Sequence, residues 1–418
     1  MKKNFVTGLL VGILSAVLLV SAVGAALVFA DFNNVKTTEA KAKESLSTAE
    51  ISSQSLTEAN YEQIQAKLKF LDRLIDNYYL EDTKDVEFTD GIYKGFIASL
   101  GDPYSTYYTA EEYQEMTEGS NGVYFGIGAS VSQDAKTGVI TIVKPFKDGP
   151  AYKAGMLPGD ILYKVNGKEV TGEDLTQVVT KLKGKAGTTV KVSVIRDNKE
   201  EPINFTITRR KIEVPTIEYK MLDNKIGYIT ITEFDAITVD QFNTAVNTLE
   251  KKGMKGLVVD VRNNPGGLLD AVVKILDRLL PKELLVYTED KNNVREEEYA
   301  TDNTKVTVPM AVLINGNSAS ASEIFAGALQ DYKAATIIGT TSYGKGIVQK
   351  IIPISDGTAV KLTISKYYTP KGRNIHGKGI TPDITLDLTE SMKKEVTIPV
   401  EKDNQLQRAI KEIKNKIK

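Results

Sequence analysis

Val308-Pro309-Met310-Ala311-Val312-Leu313-Ile314-Asn315-Gly316-Asn317-Ser318-Ala319-Ser320-Ala321-Ser322-Glu323-Ile324 passes from an apolar run, through small polar residues, into a helical pattern. Residues 308–314 read as a buried strand and 320–329 as the helix that follows it. Outward from this stretch the exchange repeats. Strands are expected at 226–231 and 256–261, with helices at 238–252 and 268–280 after them, and further strands at 347–352 and 359–364. Strands and helices taking turns imply an α/β core.

Between residues 122 and 210 the pattern changes. Short β stretches at 127–131, 138–143, 161–165, 190–195 and 203–208 are separated by Gly, Asp and Asn. Two short helices, 151–154 and 175–182, interrupt them. Upstream, Ile64, Leu68, Leu71, Leu74, Ile75 and Tyr78 recur at helical spacing over 61–80. A second helix spans 91–100 and stops at Gly101-Asp102-Pro103, as Gly followed by Pro requires. A helical turn is expected at 111–116. Lys2 and Lys3 precede 27 residues, 4–30, without a charge. That is the length of a membrane-crossing helix, and Val28-Phe29-Ala30 also offers a signal-peptidase site. The lysine pair keeps its end inside, so either reading sends the rest of the chain out of the cytoplasm.

The expected organisation is therefore an α/β multidomain chain: an anchor or signal segment at 1–30, a Ser/Thr/Ala/Glu/Lys-rich flexible stalk at 31–57, and a helical region at 58–118. A β domain at 119–212 stands before the α/β core at 213–390, and a helical tail occupies 391–418. The tail's Leu406, Ile410, Ile413 and Ile417 fit a solvated terminal helix or a dimer contact. At 418 residues two or three domains are expected, at roughly 150 residues each. Lys plus Arg is 53 against 54 for Asp plus Glu, which leaves no electrostatic footprint for nucleic acid. No cysteine is present, which excludes disulfides and thiolate chemistry, and the single histidine excludes a histidine-rich metal site. No metal and no cofactor are expected.

Without cysteine, covalent chemistry falls to a hydroxyl group. A serine at the start of the 320–329 helix would lie in positive backbone potential. Read locally, Ser320-Ala321-Ser322-Glu323 is a capping box in which Ser320 does no more than cap the helix. Thr341-Ser342-Tyr343-Gly344-Lys345-Gly346-Ile347-Val348-Gln349 sets a lysine between two glycines at a strand start. Strand alternation would put Lys345 and Gln349 on one face, where Gln349 could hold the Lys345 amine. Alone, Lys345 reads better as a surface lysine. His376 lies in a polar turn and offers a rival Ser–His–Asp arrangement. Glu323 and Asp331 read as capping or helix-surface groups.

In the β domain, Tyr124-Phe125-Gly126-Ile127-Gly128, Gly149-Pro150-Ala151, Ala154-Gly155, Pro158-Gly159-Asp160-Ile161-Leu162 and Val165-Asn166-Gly167 together resemble a PDZ domain of the bacterial protease type. Glycines let backbone N–H groups converge into a nest that takes a terminal carboxylate. A peptide would add as a strand beside residues 127–131, with Leu175, Val178, Val179 and Leu182 lining the groove for its last side chain.

Ser318-Ala319-Ser320-Ala321-Ser322-Glu323-Ile324, then Gly344-Lys345-Gly346 and Gln349, is similar to the carboxyl-terminal processing proteases. These are tail-specific peptidases of the Ser–Lys class, S41 type, with a crotonase-like core. Asp260-Val261-Arg262-Asn263-Asn264-Pro265-Gly266-Gly267, Lys366-Tyr367-Tyr368-Thr369-Pro370 and Gly377-Lys378-Gly379-Ile380-Thr381-Pro382-Asp383 extend the likeness over 60–390. The resemblance implies Ser320 as nucleophile, Lys345 as general base and Gln349 as the residue orienting the lysine. The oxyanion hole then falls to the N–H groups of Ala321 and Gly266, with Gly267 as the fallback. It implies an extracytoplasmic serine endopeptidase that trims the C-terminal region of unfolded or partly folded proteins with apolar C-termini, and a homodimer. The competing reading is a non-catalytic PDZ scaffold or apolar-ligand-binding protein on the same fold. An acyl-transfer or hydratase-like enzyme is a third, disfavoured by the PDZ-like module, which has no use for a thioester substrate.

Overall fold

The computed structural model describes residues 57–84, 86–197, 199, 201–301, 305–395 and 398–417. The uncharged stretch 4–30 and the stalk up to residue 56 lie outside the described residues. Among the described residues no helix is long and apolar enough to cross a membrane. The chain falls into two compact units that part after Val86. In the first, α1 (Glu58–Tyr78) starts on a Thr57–Asn60 capping box and has no buried residue.

The second unit opens with α2 (Phe88–Ala98), β1 (Thr106–Tyr108) and α3 (Ala110–Asn121). The turn expected at 111–116 is thus a full helix. Thr109 and Glu112 box its start, and Gly122 ends it at φ 65°, where a side chain would be strained.

The β domain follows: β2 (Val123–Gly126), β3 (Ala129–Gln133), β4 (Ile140–Pro145), α4 (Pro150–Ala154), β5 (Ile161–Val165), β6 (Lys168–Glu169), α5 (Leu175–Leu182), β7 (Thr189–Ile195), β8 (Ile203–Thr208) and β9 (Arg210–Glu213). Its main sheet runs β3-β4-β5-β7-β8, with β6 on β5, while β2 pairs separately with β9. Ile140, Ile142, Leu162, Val165, Val190, Val192, Val194 and Ile207 make a core of its own. In β7 they alternate with exposed or half-exposed residues, the period-two pattern of a half-buried strand.

The α/β core contains β10 (Ile217–Leu222), β11 (Ile226–Ile231), α6 (Thr238–Lys251), β12 (Gly256–Asp260), α7 (Leu269–Asp277), β13 (Leu284–Asp290), β14 (Arg295–Tyr299), β15 (Met310–Ile314), α8 (Ala321–Asp331), β16 (Ala335–Gly339), β17 (Ile347–Pro353), β18 (Ala359–Tyr368), β19 (Ile384–Thr385) and α9 (Asn404–Lys416). Six strands form the sheet β10-β11-β12-β15-β16-β19, parallel except at the β10–β11 edge. Alternate residues supply two apolar layers: Leu257, Val259, Met310, Val312 and Ile314 face one, and Val258, Ala311 and Leu313 the other. This is why β12 and β15 read as unbroken apolar runs. A second sheet, β1-β18-β13-β14 with β17 also on β18, stands beside it.

The terminal helix corrects both sequence readings of the tail. Leu406, Ala409, Ile410 and Ile413 of α9 pack on Ile226, Val258, Ala311, Leu313 and Ile338, so α9 is the cover of the second layer. The apolar period was visible; the sheet face needing it was not. Arg262 locks the helix start in place, bonding Asp260, Asp403 and Gln405 at 2.5–3.2 Å.

Candidate active site

The loop from β15 into α8 decides which hydroxyl is available. Ser318 is fully buried and donates to the Val261 carbonyl at 2.8 Å. Ser322, also fully buried, donates to the Asn264 carbonyl at 2.9 Å. Both are spent on fixing the loop to the turn after β12. Ser320 between them is only half buried and stands at φ 54°, ψ −116°. Such a conformation costs on the order of 1–3 kcal/mol and persists only where the surroundings enforce it. The strain places Ser320 at the mouth of α8, with the Ala321 N–H directly behind it.

Glu323 is the enforcing group. It is fully buried, and its carboxylate accepts from the N–H of Ser320 (2.9 Å), the hydroxyl of Ser342 (2.5 Å) and the N–H groups of Gly344 (2.7 Å) and Lys345 (2.8 Å). The Tyr367 hydroxyl lies 3.1 Å from the Ser320 carbonyl and 2.6 Å from that of Lys345. One carboxylate and one phenol therefore hold the backbones of Ser320 and Lys345 together. The expectation of a surface role for Glu323 is corrected. It does cap the Ser320 N–H, but from the interior. Asp331 is buried too, paired with Arg373 at 2.5 Å and accepting from the Lys371 N–H at 2.9 Å.

Gly266 lies against the same point. A β-carbon there would meet the Ala319 carbonyl at 2.7 Å, Ser320 Cβ at 2.8 Å and the Ala321 nitrogen at 3.0 Å. Only glycine leaves the Ala321 N–H open. The Gly266 N–H itself donates to Asn264 Oδ1 at 2.8 Å. In this arrangement the hydrogen of the expected second oxyanion donor is thus engaged by Asn264, two residues earlier. The Gly267 N–H has no acceptor among the described residues, and Phe234 brackets it by bonding Gly266 and Leu268 on either side.

Lys345 sits ahead of β17, not within it. Gly346 lets the backbone press to 2.6 Å, measured from an added β-carbon, against the nitrogen of His376. The Lys345 amine is half buried, and burial first, then the charge of Lys361, lower its pKa from the ordinary lysine value; Asp102 acts in the opposite direction. Among the described residues it makes no hydrogen bond to Ser320 or to Gln349. It lies over the Tyr104 ring, 4.6 Å from the centroid. The expected Lys345–Gln349 bond fails for a local reason. The ladder slips between Val348 and Gln349, so strand alternation does not carry across. Gln349 instead faces Thr363 and donates to its hydroxyl at 3.2 Å. His376 is exposed in its turn.

In the β domain, Tyr124, Ile127, Ala129, Val131, Phe146, Val179, Leu182 and Lys183 surround a pocket of about 220 Å³. β3 is the open edge of its sheet. Burial pushes the Tyr124 hydroxyl up to about 12, opposed by the N–H groups of Ala129 and Gly128, so this phenol stands at the glycine turn. Three expectations are corrected. Val178 is fully buried in the domain core, Leu175 packs on that core, and Phe125 is exposed and lines a different hollow with α3. Val178 and Val179 differ by one helical step, about 100°, which separates core from groove. Gly126 and Gly128 flank the turn, where added β-carbons would meet Tyr124 at 2.9 Å and Ile212 at 2.9 Å respectively.

Comparisons with known proteins agree with this architecture. The model for peptidase family S41 matches residues 225–386, a PDZ domain model matches 123–207, and a model described as the activating protease CtpB N-terminal domain matches 21–112. The carboxy-terminal processing protease CtpA of Bacillus subtilis is 41% identical over 320 residues, 76% of this chain and 68% of that one. The chain belongs to peptidase family S41. A CtpA-like serine protease of Staphylococcus haemolyticus is 39% identical over 321 residues, and there the chain spans 64% of its relative's length. An S41 protease from Bacteroides fragilis, 17% identical at a TM-score of 0.50 and covering 82% of this chain and 94% of that one, shares the fold.

S41 membership makes this chain one of the serine peptidases that include the carboxy-terminal processing proteases, with a PDZ domain ahead of the core. Of the residues singled out in the S41 motifs, Ser320 and Lys345 have their backbones held together, with no hydrogen bond between their side chains among the described residues. Sequence reading missed Asp102, Tyr104 and Tyr367 near them, and of its two readings of Glu323 the cap holds while the surface position does not. The Gly101-Asp102-Pro103 turn had signalled only a helix end.

Proposed function

We propose that the chain is an extracytoplasmic serine endopeptidase that cleaves proteins in their C-terminal region through a Ser320–Lys345 dyad. The observation that carries it is the shared clamp on the two backbones, with Ser320 the one serine of its run whose hydroxyl donates to no carbonyl among the described residues. In the reaction, neutral Lys345 takes the Ser320 hydroxyl proton as Oγ attacks the scissile carbonyl. The oxyanion rests on the N–H groups of Ala321 and Gly267. Collapse breaks the C–N bond, the Lys345 ammonium protonates the leaving amine, and an acyl-enzyme remains. Water, activated by the same lysine, releases the acid and restores Ser320.

The PDZ pocket supplies the tail specificity. A free carboxylate enters the nest at Gly126, Ile127 and Gly128, the tail lies along β3, and an apolar last side chain fills the space beside Val179 and Leu182. Tail capture shifts the enzyme toward its active arrangement. The test is an unfolded protein with an apolar C-terminus, offered free and amidated. Amidation is expected to raise KM about tenfold, the worth of roughly 1.4 kcal/mol of carboxylate binding. Val179→Glu, which sets a like charge at the groove, removes that difference. Equal turnover of both forms by both proteins rejects PDZ capture.

Residues 4–30 tether the enzyme to the membrane from outside the cytoplasm in this reading. α2 exposes Phe88, Ile92, Tyr93 and Phe96 on successive turns, and we assign that stripe to a homodimer contact. Protein extracted from membranes in detergent should begin at its own first residues and sediment at twice the chain mass. An N-terminus at Asp31, or a monomer, rejects the respective half of this reading.

A further inference from the structure

The turn between α2 and β1 carries three polar side chains that the dyad mechanism leaves unused. Asp102 accepts from the Tyr104 N–H at 3.0 Å and from the Ser105 hydroxyl at 2.6 Å. The Ser105 oxygen in turn accepts from the Thr363 N–H at 3.1 Å. The Thr363 side chain also reaches Asp102, and its hydroxyl takes the Gln349 hydrogen bond at 3.2 Å. The pairing of Thr106 with Lys361 fixes the whole turn against β18. Gln349 is thereby tied to Asp102 through Thr363, and not to the lysine. The lysine amine lies over the ring of Tyr104, two residues from Asp102, and the Asp102 and Lys345 charges act on each other.

We propose that Asp102 is a positioning residue that, with the Tyr104 ring, seats the Lys345 amine and favours its ammonium form. This rests on the dyad reading above. A carboxylate and an aromatic face both favour a cation. They oppose the state a general base needs, and they compete with Ser320 for the same amine. The groups facing Lys345 are Asp102 and Tyr104 from the turn, Tyr343 bonded to Tyr104, Lys361 from β18, and Glu323 through the lysine's own N–H. Asp102 is the acid among them that raises the lysine pKa; burial and Lys361 lower it. The carboxyl of Asp102 is desolvated, yet the bonds from Ser105, Thr363 and Tyr104, with the Lys345 charge, hold it below the usual range. Asp102 therefore stays charged and opposes the burial and the Lys361 charge that lower the lysine pKa.

The experiment is Asp102→Asn, which keeps shape and the Tyr104 bond. Lys345 titration is followed by NMR of ¹³C-labelled lysine in a Ser320→Ala background, so that it reads the amine without catalysis. The midpoint should fall in Asp102→Asn and in Tyr104→Leu, and rise in Lys361→Met, which removes the opposing charge. With Ser320 intact, kcat/KM of Asp102→Asn on the acid limb should rise severalfold as that limb moves to lower pH, the plateau changing less than about twofold. An unmoved or raised midpoint in Asp102→Asn overturns the proposal. So does a uniform fall in kcat with the limb in place, the mark of a structural role. If Asp102→Asn does not fold, Tyr104→Leu decides by the same midpoint. A midpoint that falls in Asp102→Asn while the wild-type chain cleaves no protein supports the lysine seat and rejects the peptidase reading instead.

Discussion

Ser320→Ala and Lys345→Ala should each lower kcat/KM for an unfolded protein by about 10⁴-fold or more, with the double variant no worse than either single one. The reason is that nucleophile and base act as a unit. Without the amine, the hydroxyl proton has nowhere to go; without the hydroxyl, the amine has nothing to activate. Thermal stability should barely move in Ser320→Ala, because its side chain is half exposed. The neighbouring serines provide the contrast. Ser318→Ala and Ser322→Ala each delete a buried bond to a carbonyl, so each should cost about 1 kcal/mol of stability and only secondarily activity. A Lys345→Ala enzyme with near-normal turnover, or a Ser318→Ala enzyme with none, would reject Ser320 and Lys345 as the dyad.

That contrast marks where sequence reading ended. Three serines at alternate positions look the same in one dimension, and a capping box explains Ser320 well enough alone. What separates them is whether a carbonyl from the turn after β12 lies within reach, and that depends on the parallel register of β12 and β15. Elements with strong apolar patterns, such as β5, β8, β11 and α5, were legible to the residue because burial imposes the pattern. β14 was not: Arg295-Glu296-Glu297-Glu298-Tyr299 is fully exposed at a sheet edge, and nothing in its composition favours a strand. The α9 helix was legible as amphipathic but not as to what it covers. At the site, the failures share one cause. Asn264 claims the Gly266 N–H, and Thr363 claims Gln349; each depends on a polar side chain reaching a partner that strand periodicity does not predict.

Glu323 gives the second large effect. Its four partners are all donors, and a carboxylate is the side chain that accepts at every oxygen lone pair. Among the described residues it has no salt bridge; the N–H groups and the start of α8 answer its charge. Glu323→Ala would leave those donors buried without acceptors. At about 1–3 kcal/mol for each unmet group, and allowing for relaxation, the loss should reach about 4 kcal/mol. Glu323→Gln is the sharper test. It keeps the volume and one acceptor, but its amide turns N–H bonds toward N–H donors on the other side. Stability should fall by about 2 kcal/mol. The φ 54° conformation of Ser320 and the backbone position of Lys345 depend on this same carboxylate, so kcat should fall about 100-fold, as misplacement of a reacting group does, with KM little changed. Denaturant unfolding and steady-state kinetics on one preparation measure both. A Glu323→Gln enzyme with wild-type stability and wild-type kcat would mean that Ser320 and Lys345 are held by something other than the clamp, leaving Tyr367 as the single shared anchor.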